Sequence, residues 1–520
     1  MCLKKLFKPI GVGSASALIA VTTLMSYAVG LIRDRTIAVH FGTTTATDTY
    51  NASFLIPDVL FNLFIAGALT AAFMPVFSEY LNKDKKVAMS MANTMLTSAS
   101  LLIAGLLVLA FIFMEHIIPW IFPEVSPEGQ KNIIQMTRIM LPSAFLFTIS
   151  NALGNILMSY RHFLSFSLSP VFYNLGIIFG VVFFNEQFGI YSAAIGVLIG
   201  GVFHAIIRII DTLYTEYKYK PELKVRDPGF KKIIKLMIPK AISLIAWQIN
   251  VYIFSIVGMK MIEGGLAAFN FARNIQGFAV TLFGVAFATA IFPSLNTAHS
   301  VGDKERYTRD TQTTIQRILF FTIPAAIGVS LLAVPLTDLI LGGGKFDANS
   351  LTLTSSILIF FAISIPFESL TQLFTRSYYA MQNTMTPTLI NIFAFAIIAV
   401  ITIFVAPVLG INWFSIGYAI GFIVYNTFLM ILLSKHLKGF KISEFFRSLV
   451  KMLIAGALMG IIIYITKDAN VYLNFSKKIF YCLQIALGGA TYLLVAYLLK
   501  SPEMTSVRFL LKRLIKKGNV

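Results

Sequence analysis

Charge is what this chain has least of. Only 12% of its 520 residues are Asp, Glu, Lys or Arg, about half the share found in a soluble domain, whereas 57% are hydrophobic. With a mean hydropathy of +0.79, too few polar side chains remain to cover a water-soluble surface. Cysteine is scarcer still. Cys2 and Cys482 lie far apart in sequence, which excludes a disulfide framework and a clustered thiol metal site. The histidines, His40, His116, His162, His204, His299 and His436, form no HExxH motif or other metal-ligand spacing, so no metal and no cofactor are expected. "GGGKF" at 342–346 has neither Walker spacing nor a Ser or Thr after its lysine, so it is not a phosphate loop. No GxSxG elbow is present, and no polar stretch is long enough for a nucleotide-binding domain. ATP-driven transport within the chain is excluded, and no enzyme activity is expected.

What is present is a series of apolar runs of helix length. They fall near 13–32, 47–79, 88–113, 132–158, 167–184, 190–214, 237–259, 265–295, 315–335, 352–381, 387–406, 412–434, 449–466 and 479–499. At about 20 residues per span, this predicts an all-α polytopic membrane protein of about fourteen spans. The runs 47–79 and 352–381 are too long for one straight span and contain Pro57 and Pro366, so kinked or broken helices are expected there. The first run lacks a small-residue cleavage site after its basic start, and reads as a retained span rather than a signal peptide.

Basic residues set the orientation. Of the 42 Lys and Arg, 31 fall on the side that holds the N-terminus, 8 on the other side, and Arg138, Arg208 and Arg273 inside spans. By the positive-inside rule both termini are expected in the cytoplasm. The net charge of +19 therefore reflects topology and calls for no nucleic acid. The C-terminal Lys512, Arg513, Lys516 and Lys517 would attract anionic membrane lipids by about 1 kcal/mol per charge.

The sequence also repeats. "AAFMPVFSEY" ends the second run with Pro75, and "ATAIFPSLN" ends the eighth with Pro293. "SYRHFLSFSLSPVFYN" carries Tyr160, Pro170 and Asn174, and "SYYAMQNTMTPTLIN" carries Tyr379, Pro387 and Asn391. The two proline offsets are 218 and 217 residues. Each copy holds six spans, an even number, so the copies enter the bilayer in the same direction and are expected to enclose a central cavity. The expected domains are 1–225, 226–440 and a C-terminal pair of spans with a basic tail, 441–520.

Charges inside the spans mark the candidate site, because each costs about 2.5–3.5 kcal/mol to place at the bilayer centre. Arg273 lies about 10 Å into its span at 1.5 Å per residue, and Asn270, Arg273 and Asn274 share one helix face. Such a face points into protein or a watery cavity, so these residues are candidates for substrate binding. Arg33, Asp34 and Arg35 close the first span, Asp48 opens the second, and Asp58 follows Pro57 where a break would line a cavity. Arg208 and Asp211, three residues apart, read as a local ion pair, and Glu368 is a further acid within a span.

The stretches "GLIRDRTIAVHFGTTTATDTYNASFLIPDVL", "AGALTAAFMPVFSEY", "FARNIQGFAVTLFGVAFATAIFPSL", "GGGKF" and "YYAMQNTMTPT" resemble the MurJ/MviN lipid II flippases of the multidrug/oligosaccharidyl-lipid/polysaccharide exporter superfamily. The resemblance implies two six-span lobes plus two extra helices. It also implies alternating access for a polyprenyl-pyrophosphate-linked peptidoglycan precursor moving from the inner to the outer leaflet. Arg33 and Arg273 would contact the pyrophosphate, and Asp34, Asp48 and Asp58 would serve as gating or cavity carboxylates. A coupling ion (sodium or proton) or the membrane potential would drive it, and cell-wall synthesis proteins are the expected partners. The chain departs from better-studied members at Tyr27 and Phe61, where they carry arginine, at Ala66, where they carry an acid, and at Asp58, where they carry asparagine. Lys260 and Arg35 are the remaining cations that could compensate. Other readings are a flippase for another lipid-linked polysaccharide, a drug or cation antiporter that would use Asp58 and Glu368, a non-transporting cell-wall scaffold, and a membrane glycosyltransferase.

Overall fold

Four helix starts show how the chain punctuates itself. Asp84, Ser126, Asp227 and Asp303 each accept hydrogen bonds from first-turn backbone N–H groups, satisfying donors that a helix leaves unpaired. The computed structural model describes residues 12–62, 67–469 and 475–505. Cys2, Ala66, Lys512, Arg513, Lys516 and Lys517 lie outside the described residues. In chain order the helices are α1 (Val12–Phe41), α2 (Thr45–Ser53), α3 (Leu55–Phe61), α4 (Gly67–Lys83), α5 (Lys85–Ile121), α6 (Pro127–Ser159), α7 (Leu164–Phe188), α8 (Tyr191–Thr212) and α9 (Pro228–Met261). They continue with α10 (Gly265–Ser300), α11 (Lys304–Leu331), α12 (Ala333–Leu341), α13 (Ala348–Ala380), α14 (Met385–Leu409), α15 (Asn412–Ser434), α16 (Ile442–Ile465) and α17 (Lys477–Leu498). Among the described residues the one β-type pairing is the isolated bridge between Gly343 and Phe346.

Eleven of these helices are long and apolar enough to cross a membrane. They coincide with eleven of the expected runs. Of the other three, 13–32 and 237–259 lie within α1 and α9, and 47–79 is divided among α2, α3 and α4; these are not among the eleven, so the count of fourteen stays an expectation. Large apolar side chains such as Leu102, Val108, Ile112 and Trp120 of α5 are exposed on the surface, as lipid-facing positions should be.

The expected break in the second run is present, but displaced. The helix stops at Ser53, Phe54 turns, and Pro57 sits in the first turn of α3. Proline lacks an N–H and its ring clashes with the carbonyl four residues back, here that of Ser53, so the interruption precedes the proline rather than occurring at it. At Pro366 no break occurs, and α13 runs uninterrupted from Ala348 to Ala380.

The chain packs as two units, Met1–Ala267 with Gly343–Asp347, and Ala268–Gly342 with Ala348–Val520. In the first, α7 and α8 cross with their backbones almost touching. A Cβ on Gly176 would lie 2.3 Å from the Gly200 Cα, and one on Gly180 would lie 2.3 Å from the Gly196 Cα. Two facing small-xxx-small pairs thus set this crossing. In the second unit, α16 and α17 are part of the core. Met452, Ala455, Met459, Ile463 and Tyr492 are buried with residues of α11 and α15, and the Tyr492 hydroxyl donates to the Phe320 carbonyl at 2.7 Å. A single-turn π-bulge at Thr281–Val285 interrupts α10 and contains Gly284, where a Cβ would meet the Ser369 Cα at 2.6 Å.

Candidate functional site

In the first unit Arg33 is held by side chains of α1 and α7. Arg33 is half-buried near the end of α1. Its Nε and Nη2 donate to Asp34 Oδ1 at 3.0 and 2.7 Å, and its Nη1 donates to Asn174 Oδ1 on α7 at 2.9 Å. Asn174 is fixed in turn, its amide donating to the Pro170 carbonyl at 3.0 Å. A guanidinium has five N–H donors, so three are engaged and two remain, on a side chain that is 23% exposed. Tyr50 and Tyr173 are within electrostatic reach of both Arg33 and Asp58, so the structure gathers Arg33, Asp34 and Asp58 around these two tyrosines.

Asp48 has a different place. It is buried, and its carboxylate accepts from the backbone N–H of Gly264 at 2.7 Å and of Ala267 at 2.8 Å. A carboxylate suits this position because the first N–H groups of a helix carry partial positive charge. Next to it Glu263 accepts from the Thr45 N–H at 3.2 Å and the Thr45 hydroxyl at 2.8 Å. These hydrogen bonds from Thr45 hold the Glu263 carboxyl below the usual carboxylate range. Gly264 has φ +74°, and a Cβ there would lie 2.1 Å from the Thr43 carbonyl oxygen, so only glycine fits this junction. The "GGGKF" loop closes on the end of α1, where the Lys345 N–H donates to the Val39 carbonyl at 2.8 Å.

The helix that starts at this junction carries Asn270, Arg273 and Asn274, which lie in the second unit, all three half-buried. Gln276, buried one turn on, donates to Ser364 Oγ at 3.0 Å and to Glu368 Oε2 at 2.8 Å. Glu368 also accepts from the Tyr418 hydroxyl, and the charge of Arg273 acts on it. The polar face seen in the sequence therefore answers a polar face on α13 and α15.

Two expected roles change. Arg208 does not pair with Asp211. Asp211 accepts from the Ser165 hydroxyl and lies 2.8 Å from His162 Nδ1, while Arg208 points the other way, toward α6 and α7. Residues three apart on a helix are neighbours, but tertiary partners outweigh that proximity when both side chains are buried. Lys260, one of the two cations left to compensate for Tyr27 and Phe61, is bound to Glu124 at 2.6 Å. Tyr27, Asp58 and Phe61 all line a cavity of about 600 Å³ within the first unit. The sequence marks Asn174 only as a repeat landmark, and Gln276 only by its nearness to Asn270, Arg273 and Asn274. Their partners sit on other helices, and no local pattern reveals them.

The fold matches known transporters. A structure titled "Lipid II flippase MurJ, inward closed conformation" is 24% identical with a TM-score of 0.80, over 93% of this chain and 98% of that one. An inward-facing multidrug resistance transporter of the MATE family is 16% identical with a TM-score of 0.66, over 80% of this chain and 96% of that one. These likenesses are of fold. The chain belongs to the Lipid II flippase MurJ family, whose sequence model matches residues 37–482. Relatives include the probable lipid II flippase MurJ of Rickettsia prowazekii, 26% identical over 93% of this chain and 97% of that protein. The lipid II flippase MurJ of Burkholderia cenocepacia is 25% identical over 77% of this chain and 79% of its own length. This is a multi-pass membrane protein of a transporter family.

Proposed function

We propose that this chain is a flippase that carries lipid II, a polyprenyl-pyrophosphate-linked peptidoglycan precursor, from the inner to the outer leaflet by alternating access. The observation that carries the reading is membership of the lipid II flippase family over residues 37–482. The chemistry of the site supports it. Arg33 has two N–H donors to spare, and a guanidinium fork matches phosphate oxygens in bidentate fashion. Each charge-assisted bond contributes about 1.5–3 kcal/mol, and exclusion of water strengthens it. In the second unit the same chemistry makes Arg273 a phosphate ligand, and Asn270 and Asn274 on its helix face offer uncharged donors for sugar hydroxyls. Asp34 orients Arg33, and Glu368 occupies the field of Arg273 until a phosphate displaces it.

Transport of this kind makes and breaks no covalent bond, so the protein acts as a secondary transporter rather than an enzyme. Both termini lie in the cytoplasm, and enzymes that supply or consume lipid II at the plasma membrane are its functional partners. A sodium or proton gradient or the membrane potential drives the cycle. The test is lipid II translocation in proteoliposomes, with Arg273→Ala as the variant. Translocation by the parent protein and its loss in Arg273→Ala, with normal insertion and melting, is the expected result. Translocation of another glycan lipid in place of lipid II would change the substrate, and undiminished activity in the variant would remove Arg273 from the site.

A further inference from the structure

The cavity in the first unit holds two buried polar side chains that the flippase reading does not use. Arg208 is 2% exposed and His204 is 6% exposed, one helical turn apart on α8. Both line the 600 Å³ space. Arg208 Nε donates to Ser169 Oγ at 2.9 Å, Nη1 to the Ser150 carbonyl at 2.9 Å and to Asn151 Oδ1 at 3.2 Å, and Nη2 to the Phe166 carbonyl at 3.3 Å. All four acceptors are neutral. Among the described residues no carboxylate comes within ion-pair distance of Arg208, and of its five N–H groups one, on Nη2, has no acceptor. A buried cation without a counterion is costly, and here the sequence makes room for it. A Cβ on Gly154 would lie 2.6 Å from Arg208 Nη1.

His204 adds the complementary group. The Ser150 hydroxyl donates to the His204 carbonyl at 3.1 Å and lies 2.8 Å from His204 Nδ1. Its single proton goes to the carbonyl, so both contacts are hydrogen bonds when Nδ1 carries the ring proton. Nε2 is then an acceptor, and it has no partner among the described residues. The cavity thus offers one cationic donor beside one acceptor, backed by apolar and aromatic walls. Phe61 and Phe147 stand 5.5 Å apart, and Phe147 and His204 stand 5.0 Å apart. Its volume is in the usual range for a small-molecule site, roughly 300–1,000 Å³.

We propose that Arg208 and His204 form a binding site of their own, in the cavity that Tyr27, Asp58 and Phe61 also line, for an amphiphile with a singly charged phosphate-monoester head. The P–O⁻ oxygen accepts from Arg208, the P–OH donates to His204 Nε2, and the alkyl chain lies along Phe61 and Phe147. A fatty carboxylate carries the charge without the proton, and a quaternary amine is repelled by Arg208. Asp58, on the same lining, opposes a head of higher negative charge.

The experiment is native mass spectrometry of the full chain with dodecyl phosphate, competed by inorganic phosphate, dodecanoate and dodecyltrimethylammonium. Dodecyl phosphate is expected to bind at least tenfold tighter than each competitor. Arg208→Gln should weaken it at least tenfold, while Arg273→Ala should leave it within twofold, which separates this site from the flippase site. Because Arg208 is buried, its variant could fail to fold. Thr23→Trp, from the half-buried lining on α1, fills the cavity without touching Arg208 and should also weaken binding at least tenfold. Unchanged affinity in Thr23→Trp, equal binding of dodecyltrimethylammonium or of inorganic phosphate, or loss of binding in Arg273→Ala would each overturn the proposal.

Discussion

Asp48 and Arg33 show how single residues in this protein divide their hydrogen-bonding capacity. Arg33 keeps two donors unused on a half-exposed side chain, which is what a ligand-binding group requires. Asp48 directs both oxygens to backbone amides at the start of the Arg273 helix, which is what an anchor requires. Leaving a buried N–H without an acceptor costs about 1–3 kcal/mol, so Asp48→Ala, which strands two, should lower stability by at least about 2 kcal/mol. Asp48→Asn, which keeps one acceptor oxygen, should lose less. Thermal unfolding of the detergent-solubilised variants measures the difference, and equal melting of all three proteins would show that the junction does not depend on Asp48.

Elements are held to one another by close backbone approach in the membrane and by charged contacts outside it. At the α7–α8 crossing, Gly200→Leu would drive a side chain into the Tyr173 carbonyl, 2.4 Å from the position of its Cβ. Overpacking typically costs about 1–3 kcal/mol, and here the obstacle is backbone, so the variant should melt lower and accumulate less than the parent. Equal melting and yield would argue against the crossing as drawn.

The loop after α8 behaves differently. Glu222 accepts from the Ser90 hydroxyl at 2.5 Å and pairs with Lys224 at 2.9 Å. The Ser90 hydrogen bond first, and Lys224 second, hold its carboxyl down to about 2, from an ordinary value of 4.5. A lowered folded-state pKa means that the contact stabilises the loop above about pH 4.5 and is lost as pH falls toward 2. Hydrogen-exchange protection across residues 216–226, taken relative to the intrinsic rate at each pH, should therefore fall in acid, and Glu222→Gln should show no such change over this range. The same fall in the variant would assign the effect to another group.

For the whole molecule, orientation is the property that the amino acids announce most openly. The split of 31 to 8 basic residues expects the loop around Arg226 inside the cell and the loop around Lys345 outside. In a chain whose native Cys2 and Cys482 are both replaced by serine, Lys345→Cys should react with a membrane-impermeant maleimide on intact cells. Arg226→Cys should react only after permeabilisation, and the opposite pattern would invert the topology.

Much of this protein follows from sequence alone, because its main signals are local. A span is about 20 consecutive apolar residues, so composition and runs located eleven membrane helices, although the ends differ by as many as 11 residues, as at the start of α11, Lys304 against 315. Arg33 and Arg273 stood out because a charge in an apolar run is conspicuous. Pro57 correctly announced an interruption in the second run, and the steric reach of its ring to residue i−4 placed that interruption before it. What the sequence withheld depends on partners distant in the chain. Nothing near Arg33 names Asn174, 141 residues away, and nothing near Asp48 names Gly264, 216 residues away. Spacing on α8 suggested that Arg208 pairs with Asp211, yet His162 and Ser165 take the acid and leave the arginine facing a cavity. Local periodicity sets where helices lie in a bilayer, whereas the partners of buried charges are settled by which helix faces meet, because desolvation makes every unsatisfied group costly.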